Sequence, residues 1–199
     1  ARNRIIPIFV ANLGCPHRCV FCDQRHIAGV QRAVTPAEAS ELLRLGLERS
    51  GPGAEAAFYG GSFTAVPPDY QQQLLDAAAP FLQSGLLSAL RVSTRPDAVN
   101  TETVERLWRG GVRTVELGCQ SMDDGVLLVS GRGHDRQAVL QAAELLRQRG
   151  FHVILQMMTG LPGSSDKTDL ETARALADLR PDGVRIYPTV VVCGTELEA

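Results

Sequence analysis

No run of apolar residues in this chain of 199 is long enough to span a bilayer, and neither charge sign dominates: 20 basic residues against 22 acidic ones leave a formal net charge of −2. The first absence argues against a helical membrane protein. The second removes the broad basic footprint that advertises binding to a phosphate backbone, leaving only a local patch open. A disulfide framework is also missing, because the five cysteines are odd in number and three of them crowd into eight residues. No secretory-type segment precedes those three, so a reducing compartment, the cytoplasm, is expected. No internal repeat, low-complexity tract or linker interrupts the chain, and one core domain over residues 1–199 is expected. The missing initiator methionine and the abrupt end at "GTELEA" lead us to expect a fragment of a longer chain. What is present is material for a globular core, with 44% hydrophobic and 21% charged residues.

The dominant pattern is an alternation of short apolar runs, turns and amphipathic segments. Strands are predicted at residues 4–11, 55–61, 89–95, 113–119, 152–158 and 183–191. Between them, helices are predicted from Thr35-Pro36-Ala37-Glu38 to Arg49, over 69–82, from Thr101 to Gly110-Gly111, over 136–149 and over 168–179. The first helix has a capping hydroxyl, a proline at its first position and a glutamate three residues after the cap. Strands separated by helices need crossover connections, which implies a parallel sheet. Polar and glycine-rich clusters follow nearly every strand: the cysteines, Gly60-Gly61-Ser62, Thr94-Arg95, Gln120-Ser121 and Gly160-Leu161-Pro162-Gly163. A site assembled from many strand ends belongs to a barrel, here a partial (β/α)6 barrel.

The stretch "LGCPHRCVFCDQ" places Cys15, Cys19 and Cys22 directly after the first strand. Thiolates at this spacing hold either zinc, closed by His17 or His26, or an iron–sulfur cluster. Three thiolates on a four-iron cluster leave one iron without a protein ligand, free to chelate a small molecule.

Cys15-x3-Cys19-x-Phe21-Cys22 resembles the signature of the radical S-adenosylmethionine (radical SAM) enzymes. "FYGGSFT", "STRPD", "VELGCQS", "RGH", "MMTGLPG" and "IYPTVVVCGTEL" follow in order. Together these blocks are most similar to the branch containing the catalytic subunit of elongator, and more distantly to oxygen-independent coproporphyrinogen oxidase. The resemblance implies a 4Fe-4S cluster on Cys15, Cys19 and Cys22, with S-adenosylmethionine chelated by the remaining iron and cleaved reductively to a 5'-deoxyadenosyl radical. It further implies an electron-donor protein as partner. Gly60, Gly61 and Ser62 would lie at the methionine amino group, Phe21 and Val190 at the adenine, and Ser93, Gln120 and Gln156 at the ribose and methionine. Arg132 would pair with the methionine carboxylate, and Arg95 is a second candidate. Glu116, predicted to face the barrel interior, would touch cofactor or substrate, or form half of a buried pair.

Leu155, Met157 and Met158 are predicted to fill the barrel. Cys119 and Cys193 are expected to pack as small apolar groups, and His134 to cap the following helix. The elongator-like branch implies a transfer RNA substrate. A small metabolite or tetrapyrrole is the alternative substrate class, and a non-enzymatic zinc module is the alternative to an enzyme.

Overall fold

The computed structural model describes residues 4–10, 15, 19–22 and 32–198; His17 and His26, considered above as ligands, lie outside them. Six strands form one sheet: β1 (Ile5–Phe9), β2 (Ala54–Tyr59), β3 (Leu87–Thr94), β4 (Val112–Gln120), β5 (His152–Thr159) and β6 (Gly183–Pro188). All pairings are parallel and the spatial order equals the sequence order. A doubly wound sheet would reverse its order at a switch point. This sheet does not, and with its helices it forms a half-barrel.

The helices are α1 (Pro36–Ser50), α2 (Pro68–Gln83), α3 (Thr101–Arg109), α4 (Asp124–Val129), α5 (Arg136–Arg149) and α6 (Asp166–Asp178). Local chemistry fixes where they begin. Thr35 Oγ1 accepts the Glu38 N–H at 3.2 Å while the Glu38 carboxylate accepts the Thr35 N–H at 2.9 Å, the reciprocal box read from the sequence. Asn100 caps α3, Asp135 caps α5 and Ser165 caps α6. Gly150 ends α5 in the left-handed region, at φ 99°.

Strand alternation separates two faces. Ile6, Ile8, Ala56, Phe58, Leu90, Val92, Val115, Leu117, Cys119, Val153, Leu155 and Met157 are buried and join the core formed with helix residues such as Leu43, Leu74, Leu107 and Leu146. Removing each large side chain of that set from water contributes about 1.5–3 kcal/mol. The opposite, concave face carries Glu55, Tyr59, Arg91, Ser93, Glu116, Gln156, Arg185 and Tyr187.

Several expectations are corrected. Leu155 and Met157 pack on the helix side and do not fill the barrel; only Met158, offset by one residue, takes the other face. The short helix α4 was not predicted, because six residues of "DGVLLV" are too few to show a period. β6 stops at Pro188, earlier than expected: after one further bond, Thr189 N–H to Thr159 C=O at 2.9 Å, the chain leaves the sheet. Cys193 is exposed, so it does not pack as an apolar group. His134 does not cap α5, since Asp135 Oδ1 takes the Ala138 N–H at 2.8 Å.

Candidate radical SAM site

The carboxyl ends of the strands gather the polar residues. Val10, just past β1, donates its N–H to the Tyr59 carbonyl at 2.7 Å, which brings the start of the cysteine loop against the end of β2. Gly60 follows at φ 111°, and a Cβ there would stand 2.7 Å from the Val10 carbonyl oxygen. Only glycine fits that crossing. Ser62 Oγ lies 2.8 Å from Thr94 Oγ1 and accepts the Arg95 N–H at 3.2 Å, tying the glycine turn to the end of β3.

Cys19 is buried, and Cys15 and Cys22 are partly buried. The Cys22 N–H donates to the Cys19 carbonyl at 3.0 Å and the Val20 N–H to the Ser130 carbonyl at 3.2 Å. The Leu197 N–H donates to the Val20 carbonyl at 2.9 Å, so the loop is held from α4 and from the C-terminal segment. Two guanidinium groups face its sulfurs. Arg95 Nη1 is 3.2 Å from Cys15 Sγ, its Nε reaches Asp97 at 2.6 Å, and it also donates to the Arg132 carbonyl. Arg132 Nη1 is 3.3 Å from Cys19 Sγ and its Nη2 donates to the Gly118 carbonyl at 2.6 Å. Among the described residues no three His, Cys, Asp or Glu side chains are gathered into a closed metal-ligand set.

Two observations bear on whether a cluster and its sulfonium ligand fit. Among the described residues, two buried polar atoms at this rim lack partners, namely Gln120 Oε1 and Arg132 Nε, and such atoms are costly unless a ligand satisfies them. Gln120 itself is held at φ 68°, a conformation rare outside glycine, and it ends β4 where the ladder with β5 shifts register. The donor set also fits: two of the three sulfurs, which become anionic as metal ligands, lie beside fixed cations, Cys15 beside Arg95 and Cys19 beside Arg132. His134, behind this rim, has Nε2 3.2 Å from the Cys119 carbonyl. Burial, with the Arg132 charge, lowers its pKa to about 4. Burial pushes the Cys119 thiol up to about 12, so it is no nucleophile at neutral pH.

Deeper on the concave face, Glu116 is almost fully buried, accepts three hydrogen bonds and makes a further ion pair with Arg185. Tyr59 Oη, Arg91 Nη1 and Arg185 Nη2 reach Oε1 at 2.8, 3.0 and 3.0 Å, and Gln156 Nε2 reaches Oε2 at 2.8 Å. Arg91 also clasps Glu55 with Nε at 3.1 Å and Nη2 at 2.6 Å. Burial, followed by the bond to Glu116, pushes the Tyr59 phenol up to about 12.

The expected site residues are thus placed unevenly. Arg95, Arg132, Gln120, Ser62 and Gly60-Gly61 converge on the cysteine rim. Ser93 is the register partner of Glu116 on the concave face, and Phe21 is partly buried in the loop. Val190 lies beyond β6 and is 62% exposed. Glu55, Tyr59, Arg91 and Arg185 were missed as members of the Glu116 cluster. Their signal was legible, since charged residues at alternate positions of strands that otherwise read as buried share one face.

Comparison with known proteins agrees with this geometry. Residues 10–176 match the radical SAM superfamily. The chain is 29% identical to a tRNA uridine(34) acetyltransferase of Dehalococcoides mccartyi over 97% of its own length and 50% of that protein. It is 30% identical to human elongator complex protein 3 over 69% of this chain and 29% of that one. The solved structure of archaeal Elp3 from Methanocaldococcus infernus, with an N-terminal deletion, superposes with a TM-score of 0.75 at 26% identity, covering 98% of this chain and 47% of that one. The chain spans about half the length of the curated relatives it matches. Among the described residues no helix is long and apolar enough to cross a membrane. The chain belongs to the radical SAM superfamily, whose members use a 4Fe-4S cluster and S-adenosylmethionine, and within it resembles the Elp3 branch.

Proposed function

We propose that this chain is the cofactor-binding core of a radical SAM enzyme that modifies transfer RNA. The observation that carries the reading is the convergence of the cysteine loop, the Gly60 crossing, Gln120 and two arginines on one rim of a half-barrel that matches the superfamily. Cys15, Cys19 and Cys22 hold the cluster. Arg132, with Arg95 beside it, turns from sulfur toward the methionine carboxylate, for which its planar fork is shaped. The Gly60-Gly61-Ser62 turn lets backbone carbonyls approach the methionine amino group. Ser93 and Gln120 reach the ribose, and Phe21 and Val190 flank the adenine. When bound, the cluster and sulfonium pair supplies one-electron reductive chemistry, and the protein contributes orientation and exclusion of water. Gln156 reaches the ribose hydroxyls, and Glu116, which holds its Nε2, touches cofactor or substrate from beneath. A reductant protein supplies the electron, and the cytoplasm is the setting that keeps the thiols reduced.

The transfer RNA substrate is supported by the relatives named for that activity. Anaerobic iron–sulfur reconstitution followed by dithionite and S-adenosylmethionine tests the reaction class, with release of 5'-deoxyadenosine as the readout. Cys19→Ala abolishes both the brown colour and that product if the ligand set is right. Colourless protein holding one zinc would refute the reading. Filter binding with transfer RNA tests the substrate: association that weakens steeply with salt is expected, and its absence refutes the RNA assignment.

A further inference from the structure

Two arginines meet the sulfurs of the cysteine loop, and they are held in different ways. Arg132 keeps one buried nitrogen, Nε, without a partner among the described residues. Arg95 is committed on every nitrogen. Its Nε reaches Asp97 Oδ1 at 2.6 Å, its Nη2 donates to the Arg132 carbonyl, and its Nη1 lies 3.2 Å from Cys15 Sγ. The side chain is only 3% exposed. Its backbone is fixed as well: the Arg95 N–H donates to Ser62 Oγ at 3.2 Å, and the turn Pro96–Ala98 follows at once, with the Ala98 N–H returning to the Arg95 carbonyl at 3.3 Å. A side chain clamped at this many points cannot swing to a new anion without breaking buried bonds. Arg132 has bonding capacity left for one.

The charge of the Arg95 guanidinium is opposed locally. Asp97 takes Nε while the sulfur is met through Nη1, so the carboxylate orients the fork and offsets part of its charge. Hydrogen bonds to the ligand sulfurs and the net charge around them set the potential of an iron–sulfur cluster. Reduction adds one electron and breaks no bond. A donor aimed at a ligand sulfur, with a cation behind it, therefore favours the reduced form, and a carboxylate close by disfavours it.

We infer that Arg95 is a positioning residue of the metal centre: clamped by Asp97 and the Arg132 carbonyl, it keeps an N–H on the Cys15 sulfur and raises the cluster's reduction potential, while Asp97 trims that rise. The methionine carboxylate is left to Arg132. The inference rests on the proposed function for the identity of the cluster ligands.

The test reads the potential of the centre and not its turnover. Each protein is reconstituted anaerobically without S-adenosylmethionine, assayed for iron and titrated with dithionite against mediators, and the reduced cluster is counted by electron paramagnetic resonance. At the potential where the unsubstituted protein is half reduced, Arg95→Met is expected to lower the reduced-to-oxidised ratio by about tenfold, equivalent to 59 mV in a one-electron couple. Asp97→Asn keeps an oxygen for Nε and removes the negative charge, so it is expected to raise the ratio, by about threefold because this carboxylate is partly solvated. A merely structural role would loosen the loop in both variants and move them the same way. Shifts in one direction, no fall in Arg95→Met or no rise in Asp97→Asn overturns the inference. Should Arg95→Met fail to retain iron, Asp97→Asn alone decides. Equilibrium dialysis then separates the two arginines: S-adenosylmethionine binding should weaken by about tenfold or more in Arg132→Met and far less in Arg95→Met. The reverse order overturns the inference and leaves the proposed function standing. Unsubstituted protein that takes up no iron–sulfur cluster overturns both.

Discussion

Residues 116 and 117 are neighbours in β4, and both are essentially withdrawn from solvent, yet they meet opposite environments. Leu117 points to the helices and belongs to the apolar core. Glu116 points to the concave face and collects three hydrogen bonds and one further ion pair from four other strands. The convex face holds the fold together by non-directional burial, which tolerates exchange among apolar residues of similar volume. The concave face is held by directional bonds between charges, which are costly to bury and costly to break. Apolar burial and directional polar bonding are thus separated by a single step along one strand.

The largest effect that would break this comparison is expected at Glu116. Glu116→Ala leaves Arg91, Arg185, Tyr59 and Gln156 without their shared acceptor, and a loss of about 3–5 kcal/mol in urea-unfolding free energy is expected. Glu116→Gln, which keeps one oxygen acceptor, should lose less. A loss under about 1 kcal/mol for the alanine variant would mean the cluster is already wet and its order dispensable. Leu117→Ala is expected to cost about 2–5 kcal/mol by cavity formation.

The convex face was legible in the sequence because it follows simple rules. Period-two apolar runs and period-three-to-four helices predicted all six strands and five of six helices, with ends displaced by a few residues. The cysteine loop was legible as a spacing. Less legible was the concave face: Glu116 was expected to touch cofactor or substrate, or to form one half of a buried pair, while its partners come from β2, β3, β5 and β6. Arg91 and Arg185 lie 94 residues apart in the chain. No local signal joins them, and only the sheet register does. Leu155 and Met157 were misplaced for the related reason that alternation gives two faces without saying which is covered by helices.

A smaller effect sharpens the boundary between rim and core. His134 is buried with Nδ1 3.9 Å from the Asp97 carboxylate, and burial and Arg132 hold its pKa near 4 against 6.5 in the free side chain. The folded form is therefore neutral where the unfolded chain takes up a proton. Between pH 6.5 and 4 the unfolded state binds more protons, so stability is full above that window and falls as pH drops through it, by about 3 kcal/mol at most. The measurement is the difference in unfolding free energy between the protein and His134→Gln, taken at pH 7 and at pH 4.5. The unsubstituted protein should lose more; parallel losses would show that the imidazole protonates in the folded state without penalty.

The smallest effect is expected where the two faces stop being different. Along the convex side, burial is nearly complete from β1 to β5, but on β6 Val184 is 43% and Ile186 60% exposed. A side chain that stays in water in the folded state contributes little by leaving water, so Ile186→Thr should change the unfolding free energy by less than about 0.5 kcal/mol. The matched replacement Val115→Thr, at a fully buried position of β4, inserts a hydroxyl with no polar partner and should cost about 1–3 kcal/mol. A cost above about 1 kcal/mol for Ile186→Thr would reverse the assignment. It would mean that the outer surface of β6 is covered in the protein as it exists in solution, and that the core extends across all six strands.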